Sequence, residues 1–347
     1  MLCYIDGFGG EDYDLRWTPN GATALSILSS DSPIHGNYLR FQGNLGASRR
    51  LTATQEDDLL IIGGHFRTWS GGLGADGGIF TLGSDAGTTM HTTLGWNTDG
   101  RLQVFRGTHL SGGGTSLGSS AVGLISDQTW YHVAFKVLLH DSAGTIDVEL
   151  DGVNVLTLTG QDTKNGGTKT VFDTFWVRGC QTGGSAAIHF DDIYVANALG
   201  TVNNDFLGIC RVDHLLPNAD STPEEWDRST GTDSFALIDE ADPNGDTDYI
   251  SSDVLNEVTQ VGFGNLTDLD HEIYGVQLSS YARKDDSGLA SYRHAISSDG
   301  NVDVGPDRAL TEAYVVYADV FELDPDGDIA WTAAQVNAAE ARVEVRA

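Results

Sequence analysis

The sequence predicts an all-β protein: two antiparallel β-sandwich, jelly-roll-like domains with one short C-terminal helix. Three observations lead there. Glycine occurs 43 times in 347 residues, the stretches between glycines alternate apolar and polar side chains, and no segment before residue 200 has helical periodicity. Glycine inside a helix costs about 1 kcal/mol relative to alanine, whereas at a turn it removes a steric cost. Some ten short strands without intervening helices must pair antiparallel, and two such sheets face to face bury their apolar alternates in one core.

The first clear strand is Asn37–Gln42. Leu59–Ile62 leads into His65–Trp69, and Gly78–Leu82 follows. Met90–Trp96 and Arg101–Arg106 flank Asn97-Thr98-Asp99-Gly100, a turn signal between alternating runs. After a polar loop, Gly107–Asp127, the strand Trp130–Val137 places Tyr131, Val133, Phe135 and Val137 on one face and His132, Ala134 and Lys136 on the other. Thr145–Leu150 pairs through Asp151-Gly152 with Val153–Leu158, and Thr174–Arg178 and Ala187–Val195 close the domain.

The pattern then restarts. Phe206–Val212 reads as a strand and Pro217–Asp233 as a polar stretch carrying an isolated Trp226. Strands follow at Glu257–Phe263, Glu272–Ala282, Ser291–Ile296 and Ala313–Phe321. Thr332 can cap a helix of two or three turns through Ala333, Ala334, Val336, Ala338 and Ala339, which must dock to persist. Ala341–Val345 alternates like an edge or closing strand. No Pro/Ser-rich linker separates the halves. The expected domains are therefore 1–200 and 201–347, packed directly, with the boundary near 198–205.

Composition narrows the function. Lys plus Arg number 19 against 50 acidic residues, a formal charge of −31. That balance repels nucleic acid and anionic membranes. With four lysines against 38 aspartates, the surface suits salty surroundings, where screening relieves self-repulsion. Cys3, Cys180 and Cys210 form no Cys-x-x-Cys pair and read as small buried hydrophobes, with one disulfide and a leftover thiol as the alternative. The N-terminus lacks the basic start and apolar run of a signal peptide, and no stretch approaches membrane-spanning length, so no membrane insertion is expected.

Two resemblances follow from particular residues. Trp130-Tyr131-His132-Val133-Ala134-Phe135, Ile146–Gly152 and Phe190-Asp191-Asp192-Ile193-Tyr194-Val195 resemble successive strands of the laminin-G/concanavalin-A-like jelly roll, over about residues 1–198. That fold hosts lectins, glycosidases and inert modules alike. Arg211–Asp220, Asp242–Ile250, Ala282–Gly288 and Trp331–Glu340 resemble a module of tailed-bacteriophage virion structural proteins, over roughly 205–347. The second resemblance implies a tail, fibre or capsid-surface component without catalytic residues. Its partners would be copies of itself and other virion proteins, and it would be made in the host cytoplasm without a signal peptide.

Several candidate sites stand beside that reading. Asp147, Glu149 and Asp151 share one strand face, and residues i and i+2 approach the spacing of about 5–5.5 Å used by retaining glycosidases. The row is Asp-x-Glu-x-Asp, where concanavalin-like hydrolases have Glu-x-Asp-x-(x)-Glu. Asp151-Gly152 is also explained as a turn, and no aromatic platform adjoins the row. The bland reading is a solvated face.

Asp242, Asn244, Asp246 and Asp248 present oxygens at alternate positions, as a calcium loop does, although Thr247 and Asp253 replace the Gly and Glu of an EF-hand. Asp324-Pro325-Asp326-Gly327-Asp328 begins the same pattern without a fourth ligand. The bland reading for both is an Asp/Asn-Gly turn. No cofactor is required, and calcium is the one candidate.

His65, His91, His132 and His189 lie in strands; sheet pairing could join two of them, but no third metal ligand can be named. Ser/His/Asp catalysis finds no strand-turn-helix elbow: Gly114-Thr115-Ser116-Leu117-Gly118 has the Gly-x-Ser-x-Gly spelling, but no helix follows it. The Gly-rich stretch Ser111–Ser116 lacks a phosphate-loop lysine and reads as a mobile surface loop. Trp17, Trp69, Trp96 and Trp226 lie near strand ends or loops, where a ring can stack on a sugar.

The leading expectation is thus a non-enzymatic virion structural component assembling in multiple copies. The alternatives are a carbohydrate-binding module that attaches to a host surface glycan, and a glycoside hydrolase or depolymerase.

Overall fold

Alternation and turn chemistry set the strand order seen in the computed structural model, which describes residues 1–9, 16–20, 25–28, 37–43, 45–69, 71–109, 113–179 and 187–347. These residues form two units, one of Met1–Gly9 with Arg16–Val212 and one of Asp213–Ala347.

In the first unit β1 (Leu2–Asp6), β2 (Thr18–Asn20), β3 (Leu25–Leu28), β4 (Tyr38–Gln42) and β5 (Gly46–Arg50) come first. Then follow β6 (Leu59–Thr68), β7 (Gly77–Ser84), β8 (Thr89–Trp96), β9 (Leu102–Arg106) and β10 (Thr115–Ser119). The unit ends with β11 (Trp130–Leu138), β12 (Gly144–Leu150), β13 (Val153–Gln161), β14 (Thr174–Arg178) and β15 (Ala187–Asn197). An eight-stranded sheet has the order β13-β12-β11-β6-β15-β4-β3, with β1 also on β15; a seven-stranded sheet runs β10-β9-β8-β7-β14-β5-β2.

The sheets stack through their apolar alternates. Phe80 of β7 meets Phe190 of β15 at 5.9 Å between ring centroids, and Tyr4 of β1 meets Phe175 of β14 at 6.0 Å. Each such fully buried ring contributes roughly 1.5–3 kcal/mol. The β12–β13 hairpin closes at Asp151 and Gly152, both at positive φ (50° and 75°), which the Asp-Gly pair adopts readily.

The second unit holds β16 (Pro217–Glu224), β17 (Asp227–Arg228), β18 (Ile250–Ser251), β19 (Val258–Phe263), β20 (Val276–Ala282) and β21 (Ser291–Ser298). It closes with β22 (Asn301–Val304), β23 (Arg308–Ala309), β24 (Val315–Phe321), the helix α1 (Ala333–Ala338) and β25 (Glu340–Val345). One sheet has the order β16-β19-β25-β21-β22, with β23 on β21; β17–β18 and β20–β24 are separate ribbons. Leu278 and Phe321 of the β20–β24 ribbon pack with Ile296, Trp331 and Ala339 in one apolar cluster. The all-β sandwich class and the short C-terminal helix are therefore as the sequence predicts. Thr332 caps α1 in a capping box with Gln335.

Three local expectations change. Phe206–Val212 is not a strand: Gly208 at φ 77° interrupts it, and it lies on the eight-stranded sheet. Pro217–Glu224 is a strand at a sheet edge, where proline's missing N–H faces outward. Glu340–Val345 is central rather than an edge, paired with β19 and β21.

Candidate functional site

Register decides which side chains share a face. Opposite Arg67 and His65 of β6 stand Trp130 and His132 of β11, and on the other side His189 and Asp191 of β15. His189 also stands opposite Arg40 of β4. Cross-strand partners point the same way, and the intervening Phe41, Phe66 and Phe190 point into the core, all 0% exposed. The outer face of the eight-stranded sheet therefore carries a row Arg40–His189–Arg67–Trp130, with Tyr38 two residues from Arg40 on the same side.

The rings in this row touch. Tyr38 stacks on His189 at 4.5 Å with 29° between planes, and Trp130 meets the Tyr38 edge at 6.0 Å. Trp69, just beyond β6, lies 5.3 Å from His189, and the Arg67 guanidinium sits 5.4 Å over the Trp69 ring. The Trp69 backbone N–H donates to Ala187 O at 2.9 Å, fixing the ring's base. Trp69 is 36% exposed while Tyr38 and His189 are buried; Arg40 and Trp130 are half-buried. Arg40 Nε is buried with no hydrogen-bond partner among the described residues.

The next row pairs His65 with His132, their ring centroids 5.1 Å apart. A bulge in β15 between Asp191 and Tyr194 puts Asp192 at φ 53°, and its Oδ2 approaches His65 Nδ1 at 3.1 Å. Bulges re-aim side chains in this way. The Tyr194 ring stacks on His132 at 6.2 Å and fills the space over Gly63, where a Cβ would overlap it. Burial, reinforced by His65, pushes the His132 pKa down to about 3, so this imidazole is neutral. Among the described residues no group of three His, Cys, Asp or Glu side chains could hold a metal ion.

Beyond Tyr194 the same face is covered by the chain's own segment. Lys136 Nζ donates to Asp205 at 2.9 Å and sits 4.8 Å over the Phe206 ring. The Leu207 N–H donates to the Tyr194 hydroxyl, and the Val212 N–H to Asp192 Oδ1 at 2.8 Å.

The residues singled out in the sequence fall in different places. Trp17 and Trp96 are 2% and 0% exposed. Trp17 meets Phe175 edge-on at 5.4 Å, and Trp96 packs over Gly77. Both are core residues with no ring face open to a sugar, which corrects their candidacy. Trp226 is half-buried in the second unit, its indole N–H donating to Glu257 O at 3.2 Å. Of the four, only Trp69 joins the aromatic row.

On β12, Ile146, Val148 and Leu150 are buried and the carboxylates face out. Asp147 accepts from the Thr157 hydroxyl at 2.8 Å, and Asp151 accepts the His132 N–H at 2.8 Å as part of the turn. Burial and Asp205 raise the Glu149 pKa, with Lys136 opposing.

In the candidate calcium loop, Asp246 accepts from Arg283 Nη2 at 2.9 Å and from the Tyr314 hydroxyl at 2.8 Å, and Asn244 donates to Glu240 Oε1 at 2.8 Å and to Asp248. Asp242 is exposed. Asp324 is buried, its Oδ1 accepting the Asp326 N–H at 2.9 Å across a turn. Cys3 is buried and Cys210 half-buried, each thiol donating to a backbone carbonyl at 3.5 Å; Cys180 lies outside the described residues, as do Ser111 and Gly112. Thr115 and Ser116 of that Gly-rich stretch begin β10. Ser/His/Asp geometry, for which no local motif speaks, is present in the second unit at Ser280, His294 and Asp319.

No protein-family model matches the chain, and no curated protein matches it. Solved structures do. A carbohydrate esterase from the Shiga toxin-encoding bacteriophage phi24B is 14% identical, with a TM-score of 0.37 over 56% of this chain and 97% of that one. The carbohydrate-binding module CBM66 from Bacillus subtilis is 14% identical, with a TM-score of 0.35 over 52% and 95%. A mutant Trypanosoma rangeli sialidase is 12% identical, with a TM-score of 0.34 over 52% of this chain but only 30% of that one.

These values carry no activity across to this chain. The structures just named are carbohydrate-binding or carbohydrate-active proteins, and none is named as a virion structural protein. The virion role and the expectation of a non-enzyme are both withdrawn.

Proposed function

We propose that the first unit binds carbohydrate on the outer face of its eight-stranded sheet, across β4, β15, β6 and β11. The observation that carries this reading is the exposed Trp69 ring beside the row formed by Arg40, Tyr38, His189, Arg67 and Trp130. A pyranose offers an apolar face of C–H groups and a rim of hydroxyls. An indole face takes the first, and guanidinium and imidazole groups hydrogen-bond the second. Arg40 Nε supplies a buried donor without an acceptor among the described residues, a group whose burial is costly until a ligand oxygen meets it. The row is built on strands, so its spacing is fixed before a ligand arrives.

A glycan array followed by calorimetry on the best-binding oligosaccharide tests this. Trp69→Ala is expected to weaken binding at least tenfold, about 1.4 kcal/mol, while leaving the melting temperature within a few degrees. Undiminished binding by Trp69→Ala overturns the assignment.

A further inference from the structure

The second unit contains a hydrogen-bonded line that the carbohydrate reading does not use. In the β20–β24 ribbon, Leu278 stands opposite Asp319 and Ser280 opposite Tyr317, so Ser280 and Asp319 point to the same side. β21 sends Tyr292 and His294 to meet them. Ser280 Oγ is 2.7 Å from His294 Nε2, and His294 Nδ1 is 2.7 Å from Asp319 Oδ2. The Tyr292 hydroxyl is 2.6 Å from Ser280 Oγ. Arg308 Nη2 donates to the other oxygen of Asp319. Tyr292, His294 and Asp319 are 2%, 2% and 6% exposed, whereas Ser280 is half-buried.

The protons in this line can be assigned. Burial opposes ionisation of Asp319, but hydrogen bonds from His294 and Arg308 outweigh it and hold the carboxyl below its ordinary pKa. An ionised Asp319 accepts from both neighbours, so whenever the His294 ring is neutral its proton sits on Nδ1. Nε2 is then an acceptor, Ser280 donates to it, and the Tyr292 hydroxyl donates to Ser280 Oγ. A clasp between ribbon and sheet would need only the buried His294, Asp319 and Arg308. Ser280 places a hydroxyl at the solvent end of the line, where a nucleophile must stand.

We propose that Ser280, His294 and Asp319 form an acyl-transfer site that hydrolyses carboxylic esters of small acyl groups. Ser280 Oγ bonds to the ester carbonyl carbon as its proton passes to His294 Nε2. The carbon–oxygen bond to the alcohol then breaks, and the alcohol leaves with that proton. Water attacks the acyl-serine, gives its proton to Nε2, and the carboxylic acid departs as Ser280 recovers its hydrogen. Ester plus water become acid plus alcohol, with no change of oxidation state. Ser280 and His294 are the catalytic residues. Asp319 positions the imidazole and stabilises its charged form, and the Tyr292 hydroxyl is a donor beside the developing oxyanion. Ser280 is half-buried on the side of its ribbon that faces β21, so a small acyl group reaches it more readily than a bulky one. The assignment is independent of carbohydrate binding by the first unit.

The test uses the full chain, a fluorophosphonate probe and p-nitrophenyl acetate. The expected result is one phosphonyl adduct mapped to Ser280 by peptide mass spectrometry. Ester turnover should fall at least about 100-fold in Ser280→Ala and His294→Gln. Asp319→Asn should displace the pH profile of turnover as well as lower it, which loss of a mere clasp would not do. Mapping on the native chain stands even where a variant fails to fold. Failure of the probe to label Ser280 in buffer where it labels a known serine hydrolase overturns the proposal. So does labelling at another residue alone, or turnover by folded Ser280→Ala equal to that of the native chain.

Discussion

Acid should destabilise the first unit in part through the buried imidazole of His132, as burial also lowers the pKa of His91 and His109. His132 is 2% exposed and lies against His65 and Tyr194, with Asp192 at the far side of His65 and Asp151 on its backbone N–H. Burial and His65 lower its pKa from 6.5 to about 3. In the unfolded chain the same ring takes a proton near 6.5, so between pH 6.5 and about 3 the unfolded state binds more protons. Stability is then fully present above pH 6.5 and drains away as pH falls.

One such group costs about 1.4 kcal/mol by pH 5.5 and about 2.7 kcal/mol by pH 4.5. The first figure corresponds to a melting-temperature drop of roughly 3–6 °C for a unit of this size. Urea melts of the native chain and of His132→Gln from pH 8 to 4.5 isolate the effect, because titrations common to both proteins cancel. The variant is expected to be less stable at pH 8 and to close the gap by about the stated amounts on acidification. Curves that stay parallel would refute the account of a neutral, buried His132.

Two further outcomes concern stability. Arg178 on β14 is 7% exposed, and burial alone pushes its pKa down to about 10. Holding that charge costs about 3 kcal/mol, so Arg178→Met should raise the urea midpoint, and a lowered midpoint would refute this. In the second unit, Thr332 Oγ1 accepts the Gln335 N–H at 3.3 Å and Gln335 Oε1 accepts the Thr332 N–H at 2.9 Å; Thr332→Ala should cost about 1 kcal/mol and Thr332→Gly less, measured by the same melts, with equal midpoints counting against the cap.

What the sequence made legible was local. The β12–β13 hairpin, the outward row Asp147, Glu149 and Asp151, the strand Thr174–Arg178 and the cap at Thr332 all depend on residues within a few positions of one another, and each was readable from alternation or turn chemistry. Register between distant strands was not. His65 and His132 are 67 positions apart in sequence, and nothing in either strand states that they are cross-strand partners. Alternation does put His132 outward, but only the pairing of β6 with both β11 and β15 gathers Arg67, Trp130 and His189 into one row.

The same holds for Ser280, His294 and Asp319, contributed by three strands without a sequence elbow. Trp17 and Trp96 were misplaced for a related reason: nearness to a strand end says nothing about which side of the sheet a ring takes. The virion reading rested on resemblance alone, with no local physical signal behind it.

The segment Asp205–Val212 gives the outer face of the eight-stranded sheet a fixed length. By roofing the Lys136 and Tyr194 end, it confines any berth on that face to the part spanning β4, β15, β6 and β11. Three inter-strand gaps of about 4.8 Å make that berth roughly 14 Å wide. A guest lying along the strands meets this chain's own backbone at one end and the Trp69 indole at the other. The tether is therefore a doorstop for whatever runs along the strands of that face.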